Sequence, residues 1–123
     1  MLTYEEKLEN LKKKKLYVYT IKYGRHNPQN GYHEHTTEIV APTDAQAEKL
    51  GKLYCDGAIY GYNTYLGIEK KSPEIPKEFI RYREKVTKKD RYGYAVRTEP
   101  VAEMEYSEEA SAWKRKYVWG REE

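Results

Sequence analysis

Fourteen of the 123 residues are tyrosine and one is phenylalanine, so most of the large rings this chain can bury end in a hydroxyl that needs water or a hydrogen-bond partner. Such rings suit the boundary of a core better than its centre. A chain of this length fits one domain with one modest core. Aliphatic residues are few enough that this core must be thin.

Much of the tyrosine content falls in stretches with the two-residue period of strands. LYVYTIKYG places Leu16, Val18 and Thr20 on one face and Tyr17, Tyr19, Ile21 and Tyr23 on the other. RHNPQNG then holds Asn-Pro and Asn-Gly, both turn formers, and YHEHTTEIVA resumes the alternation, which predicts a hairpin over 16–41. AIYGYNTYLGI predicts a Tyr-rich strand at 58–69, or two short ones parted by glycine, and the two prolines of KKSPEIPK mark 70–77 as a linker. EFIRYREKVTKK fits a strand with Ile80, Tyr82, Glu84 and Val86 on one side, and also a helix striped by Phe79, Tyr82 and Val86. The strand is the better fit, because KDRYG supplies a turn and YAVRTEPV a returning partner, giving a second, basic hairpin at 78–102.

Three helices carry start signals. Thr3 with Glu6 fits a capping box for an N-terminal helix within 1–15, from about Tyr4 to Lys14, striped by Tyr4, Leu8 and Leu11. Thr43 with Gln46 makes a second box for a helix over 43–56, with Ala45, Leu50, Leu53 and Tyr54 as its apolar stripe and Gly57 as its stop. Ser107 caps a third over 107–119, whose Glu108 and Glu109 suit its positive end and whose Trp113 and Tyr117 are expected to face inward. An Ala-x-Ala near the start of both later helices is read as two uses of one local solution, a helix covering a hairpin. The predicted fold is a single small α+β domain: a mainly antiparallel sheet of two hairpins and a Tyr-rich strand, covered by about three amphipathic helices.

Charge narrows the partners. The 23 basic and 20 acidic side chains nearly cancel, to +3, which describes a well-solvated protein. The distribution is uneven, however. Between Pro76 and Arg97, Lys77, Arg81, Arg83, Lys85, Lys88, Lys89, Arg91 and Arg97 face only Glu78, Glu84 and Asp90, a net +5, with a lesser basic run at Lys12–Lys15. Cys55 is alone, so no intrachain disulfide can form and a reducing compartment is expected. MLTYEEKLENLKKKK is charged throughout with no apolar stretch for a signal or a span, so the expectation is a cytoplasmic protein without membrane contact.

Candidate chemistry is sparse. His33 and His35 would share a strand face, a spacing that can put two imidazoles on one metal, with His26 across the turn, Cys55 or Asp56 as a third ligand. Two ligands without a fixed third do not define a site, and no metal is expected. Cys55 beside Asp56 at a helix C-terminus has its thiol pKa raised, which suits a packed cysteine and not a nucleophile. With no phosphate-cradling glycine loop, no cofactor is expected and the chain reads as a non-enzymatic binding protein.

The interleaving of tyrosine with basic residues has a physical direction. Tyr92 and Tyr94 would share a face, as would Tyr60 and Tyr62, and the glycine between each pair leaves the opposite face open. Bases stack on such rings, and Arg81, Arg83, Arg91, Arg97, Lys85, Lys88 and Lys89 are placed to hold phosphates. DRYGYAVR resembles the aromatic-Gly-aromatic core of the RNA-recognition-motif signature. It departs from that signature because Arg91 directly precedes Tyr92 with no glycine between, and the βαββαβ order is absent. Membership is therefore excluded. The expected function is recognition of nucleic acid or a phosphorylated nucleotide, with Tyr92-Gly93-Tyr94 the better candidate and Tyr60-Gly61-Tyr62, which has no basic neighbour, closer to sheet packing. The alternative is an inhibitor or adaptor acting by protein contact through Tyr, Trp and Arg. In general style the chain resembles phage-encoded anti-defence proteins such as anti-CRISPRs, and that resemblance implies a nucleic-acid-handling protein as target. A homodimer is a further expectation, since a thin core leaves edges and aromatic surface to cover.

Overall fold

The computed structural model describes residues 1–56 and 62–117. The expected helix stop at Gly57, the first part of the Tyr-rich strand with Tyr60 and Gly61, and the end of the third helix at 118–119 lie outside the described residues.

All three helix starts are formed as their sequences dictate. Thr3 Oγ1 accepts from the Glu6 N–H at 3.2 Å and α1 runs Tyr4–Lys12; it ends before Lys14 because the run Lys12–Lys15 offers no apolar side chain to pack. Thr43 Oγ1 accepts from the Gln46 N–H at 3.2 Å ahead of α2, Asp44–Asp56. Ser107 Oγ accepts from the Ala110 N–H at 3.0 Å ahead of α3, Glu108–Tyr117. In each of the two later helices one alanine, Ala47 or Ala110, is buried. On α2 the inward stripe is Ala47, Leu50, Gly51 and Cys55. Ala45 and Tyr54, expected to face inward, are exposed, because that stripe is rotated from the expected one.

The first hairpin pairs β1, Tyr17–Asn27, with β2, Gly31–Ala41, in unbroken register from Tyr17 opposite Ala41 to Asn27 opposite Gly31. α2 then carries the chain across to β3, Tyr62–Glu74, on the other side of β1, giving an antiparallel sheet of order β2-β1-β3. The expected linker at 70–77 is therefore mostly strand. Pro73 is tolerated because β3 is an edge, where a missing N–H interrupts no ladder. Three register shifts bend the β1–β3 pairing. Near one of them the Val18 N–H donates to the buried Ser72 hydroxyl at 2.9 Å, and Ser72 in turn donates to the Pro73 carbonyl.

Lying between two neighbours in the sheet, β1 is also covered on both faces. One cluster joins Leu16 and Val18 to Val40, Ile75 and Ala102; the other joins Tyr19 and Ile21 to Ala41, Ala47 and Leu50. Gly51 lets α2 settle close to the sheet, since a Cβ there would stand 2.8 Å from the Tyr65 ring. The buried Tyr19 hydroxyl donates to Asp44 Oδ1 at 2.8 Å, which supplies the partner a buried phenol requires.

After a 3-10 turn at Lys77–Phe79, β4, Ile80–Lys89, and β5, Ala95–Met104, form a second, two-stranded sheet. The ambiguous segment is thus strand. Its root, with Ile80 and Tyr82 opposite Met104 and Ala102, packs on the Leu16–Val18 cluster, and Leu11 of α1 and Trp113 of α3 complete that layer. Tyr117 pairs ring to ring with Trp113 at 5.4 Å but is exposed, not inward. No helix among the described residues is long and apolar enough to cross a membrane.

Candidate nucleic-acid interface

Beyond Tyr82 the second hairpin leaves the body. From Glu84 to Arg97 every residue except Thr87 is exposed, so both faces of the ribbon meet solvent. Val86 and Val96 are 39% and 57% exposed, and Tyr92 and Tyr94 at the tip reach 70% and 72%. This is a two-stranded arm without a core beneath it.

Its tip is tied into a turn for a reason visible in KDRYG. Asp90 Oδ1 accepts from both the Tyr92 and the Tyr94 N–H, at 2.9 and 3.0 Å, and the Asp90 N–H donates to the Tyr94 carbonyl at 2.9 Å. Gly93 closes the turn at φ +87, a conformation that favours glycine. The Arg91 guanidinium lies 4.9 Å from the Tyr92 ring centroid, and its Nη2 donates to the Tyr92 hydroxyl at 2.8 Å. The guanidinium thus lies over the ring as a cation–π pair.

The root is held by Glu99, whose side chain is only 15% exposed. Its carboxylate meets Lys7 of α1 at 3.7 Å, Lys49 of α2 at 3.7 Å and Arg97 of its own strand at 3.0 Å. Neither Asp90 nor Glu99 was singled out from sequence. The Asp-x-x-Gly spacing signals the first; nothing local signals the second, whose partners come from other elements.

The basic residues divide into two groups. Arg81 and Arg83 both reach Glu103, at 3.6 and 3.0 Å, and Arg97 pairs with Glu99. All three, expected to hold phosphates, thus stand beside carboxylates of β5: Arg81 and Arg83 across the strand pair, Arg97 two residues along its own strand. Lys85, Lys88 and Lys89 have no carboxylate partner among the described residues, and Arg91 meets only Tyr92. Lys88 stands opposite Arg97 and Lys85 opposite Glu99, so Lys85, Lys88 and Arg97 line one face of the arm.

The other candidates fall elsewhere. Tyr62 belongs to β3 at the far side of the first sheet, opposite His26. His33 and His35 do share a face, opposite Arg25 and Tyr23, but His26 points to the other face, where its ring packs on Tyr32 at 4.8 Å. Strand alternation thus separates it from the other two, and no metal-holding cluster forms among the described residues. Burial, then the Asp56 carboxylate, push the Cys55 thiol pKa up.

No family model, no curated protein and no solved structure matches this chain.

Proposed function

We propose that this protein binds nucleic acid through the β4–β5 arm. The observation that carries the reading is a ribbon open on both faces, bearing Lys85, Lys88, Lys89 and Arg91 without carboxylate partners among the described residues and two exposed tyrosines at a hydrogen-bonded tip. The cations supply the sequence-independent attraction to phosphate, and the rings supply contact with bases.

The test is oligonucleotide affinity as a function of salt. With the four cations each neutralising a phosphate, the logarithmic slope on duplex DNA is about −3.6, or roughly 150-fold between 50 and 200 mM salt. Tyr92→Ala with Tyr94→Ala weakens binding by roughly 1–3 kcal/mol for each ring that contacts a base. Absence of binding at the lowest salt overturns the reading.

A second reading, an inhibitor or adaptor acting by protein contact, is favoured by one feature, the exposure of Val86 and Val96 on the same arm. It predicts that a protein partner captured by the intact chain is lost on Val86→Glu or Val96→Glu, with oligonucleotide affinity absent throughout.

A further inference from the structure

The shape of the arm narrows the kind of nucleic acid. Proteins that hold single strands lay them in a basic trough floored by aromatic rings. A lone two-stranded ribbon has no walls and offers no trough; it is the convex partner of a groove. One face of the Tyr92 ring is moreover already taken by the Arg91 guanidinium, 4.9 Å from its centroid, which removes half of a free stacking platform.

The dimensions fit a groove. Six residue steps from Glu84 to Asp90, at about 3.3 Å each, give a reach of roughly 20 Å. The major groove of B-form DNA, about 12 Å wide and 8.5 Å deep, admits a two-stranded ribbon. The A-form groove of duplex RNA is too deep and narrow for side chains to read. Register shifts between Val86 and Lys88 and between Lys88 and Lys89 add twist to the arm, as following a helical groove requires. Lys85 and Lys88 on one face and Lys89 and Arg91 toward the tip distribute positive charge along the length that would lie between phosphate walls.

We infer that the arm enters the major groove of double-stranded DNA, an inference that rests on the arm being a nucleic-acid contact at all. The experiment compares fluorescence anisotropy on a DNA duplex of about 20 base pairs, roughly two helical turns, with its separated strands and with the RNA duplex of the same sequence. It adds methylation protection at guanine N7, which faces the major groove. The expected result is DNA duplex binding at least about tenfold tighter than either competitor, with N7 protected. Lys88→Glu with Lys89→Glu should remove that binding while the thermal melt stays in place, since neither residue touches the core. Equal or tighter binding of single strands or of duplex RNA, or DNA binding without N7 protection, overturns the groove placement and leaves the nucleic-acid reading standing. No binding to any of the three, or binding indifferent to the lysine changes, overturns both.

Discussion

Two hydroxyls of the first sheet differ in one respect, whether they have a partner. Ser72 accepts from the Val18 N–H at 2.9 Å in a place that is 3% exposed. Thr20 Oγ1 on β1 is buried with no partner among the described residues. Removing the first strands a buried backbone donor; removing the second relieves an unmet one. Ser72→Ala should therefore cost roughly 1–3 kcal/mol, and Thr20→Val, which keeps the β-branched shape, should leave stability unchanged or raise it by up to about 1 kcal/mol. Urea unfolding of the two variants beside the parent chain reads both, and the ordering Thr20→Val above Ser72→Ala is the outcome that matters.

Among the elements, the arm depends on Glu99 for its attachment. One carboxylate facing Lys7, Lys49 and Arg97 joins α1, α2 and β5, and Glu99→Gln keeps the shape while removing the charge. The expected loss is about 1 kcal/mol, as for ion pairs partly screened by solvent. It should shrink as salt is added in the same unfolding measurement. How far this arrangement was legible in the sequence varies by element. The caps at Thr3, Thr43 and Ser107 and the Asn-Gly hairpin announce themselves, because each is a local hydrogen-bonding device within four residues. The alternation of Ile80, Tyr82, Glu84 and Val86 reads the same whether a face meets a core or water. Where the hairpin leaves the body is set by the reach of α1, α3 and β1 beneath it. The pairing of Arg81 and Arg83 with Glu103 was hidden for a related reason, since it follows from cross-strand register. Pro73 argued for a linker and found an edge strand, a role that depends on strand order.

For the molecule as a whole, the tyrosines in and around the core carry a signature in alkali. Burial holds the Tyr19, Tyr65 and Tyr82 phenols above their ordinary value of 10.0 and the Cys55 thiol above 9.0, with the Asp44 hydrogen bond adding to Tyr19. A group whose folded pKa is raised keeps its proton better in the folded chain than in the unfolded one. Its contribution is complete below the ordinary value and is lost as pH climbs through the folded one. Thermal midpoints should accordingly hold level to about pH 9 and then fall, with buried tyrosinate absorbance rising together with loss of circular dichroism. Ionisation of every tyrosine in a chain that stays folded would contradict this. The arm stands outside that economy altogether. Because residues 84–96 share no side chain with either cluster, variation there, outside the Asp90 and Gly93 of the turn, is uncoupled from folding: a lineage could retune what the arm recognises one substitution at a time, each step tolerated by a body whose central strand, sealed on both sides, has no such latitude.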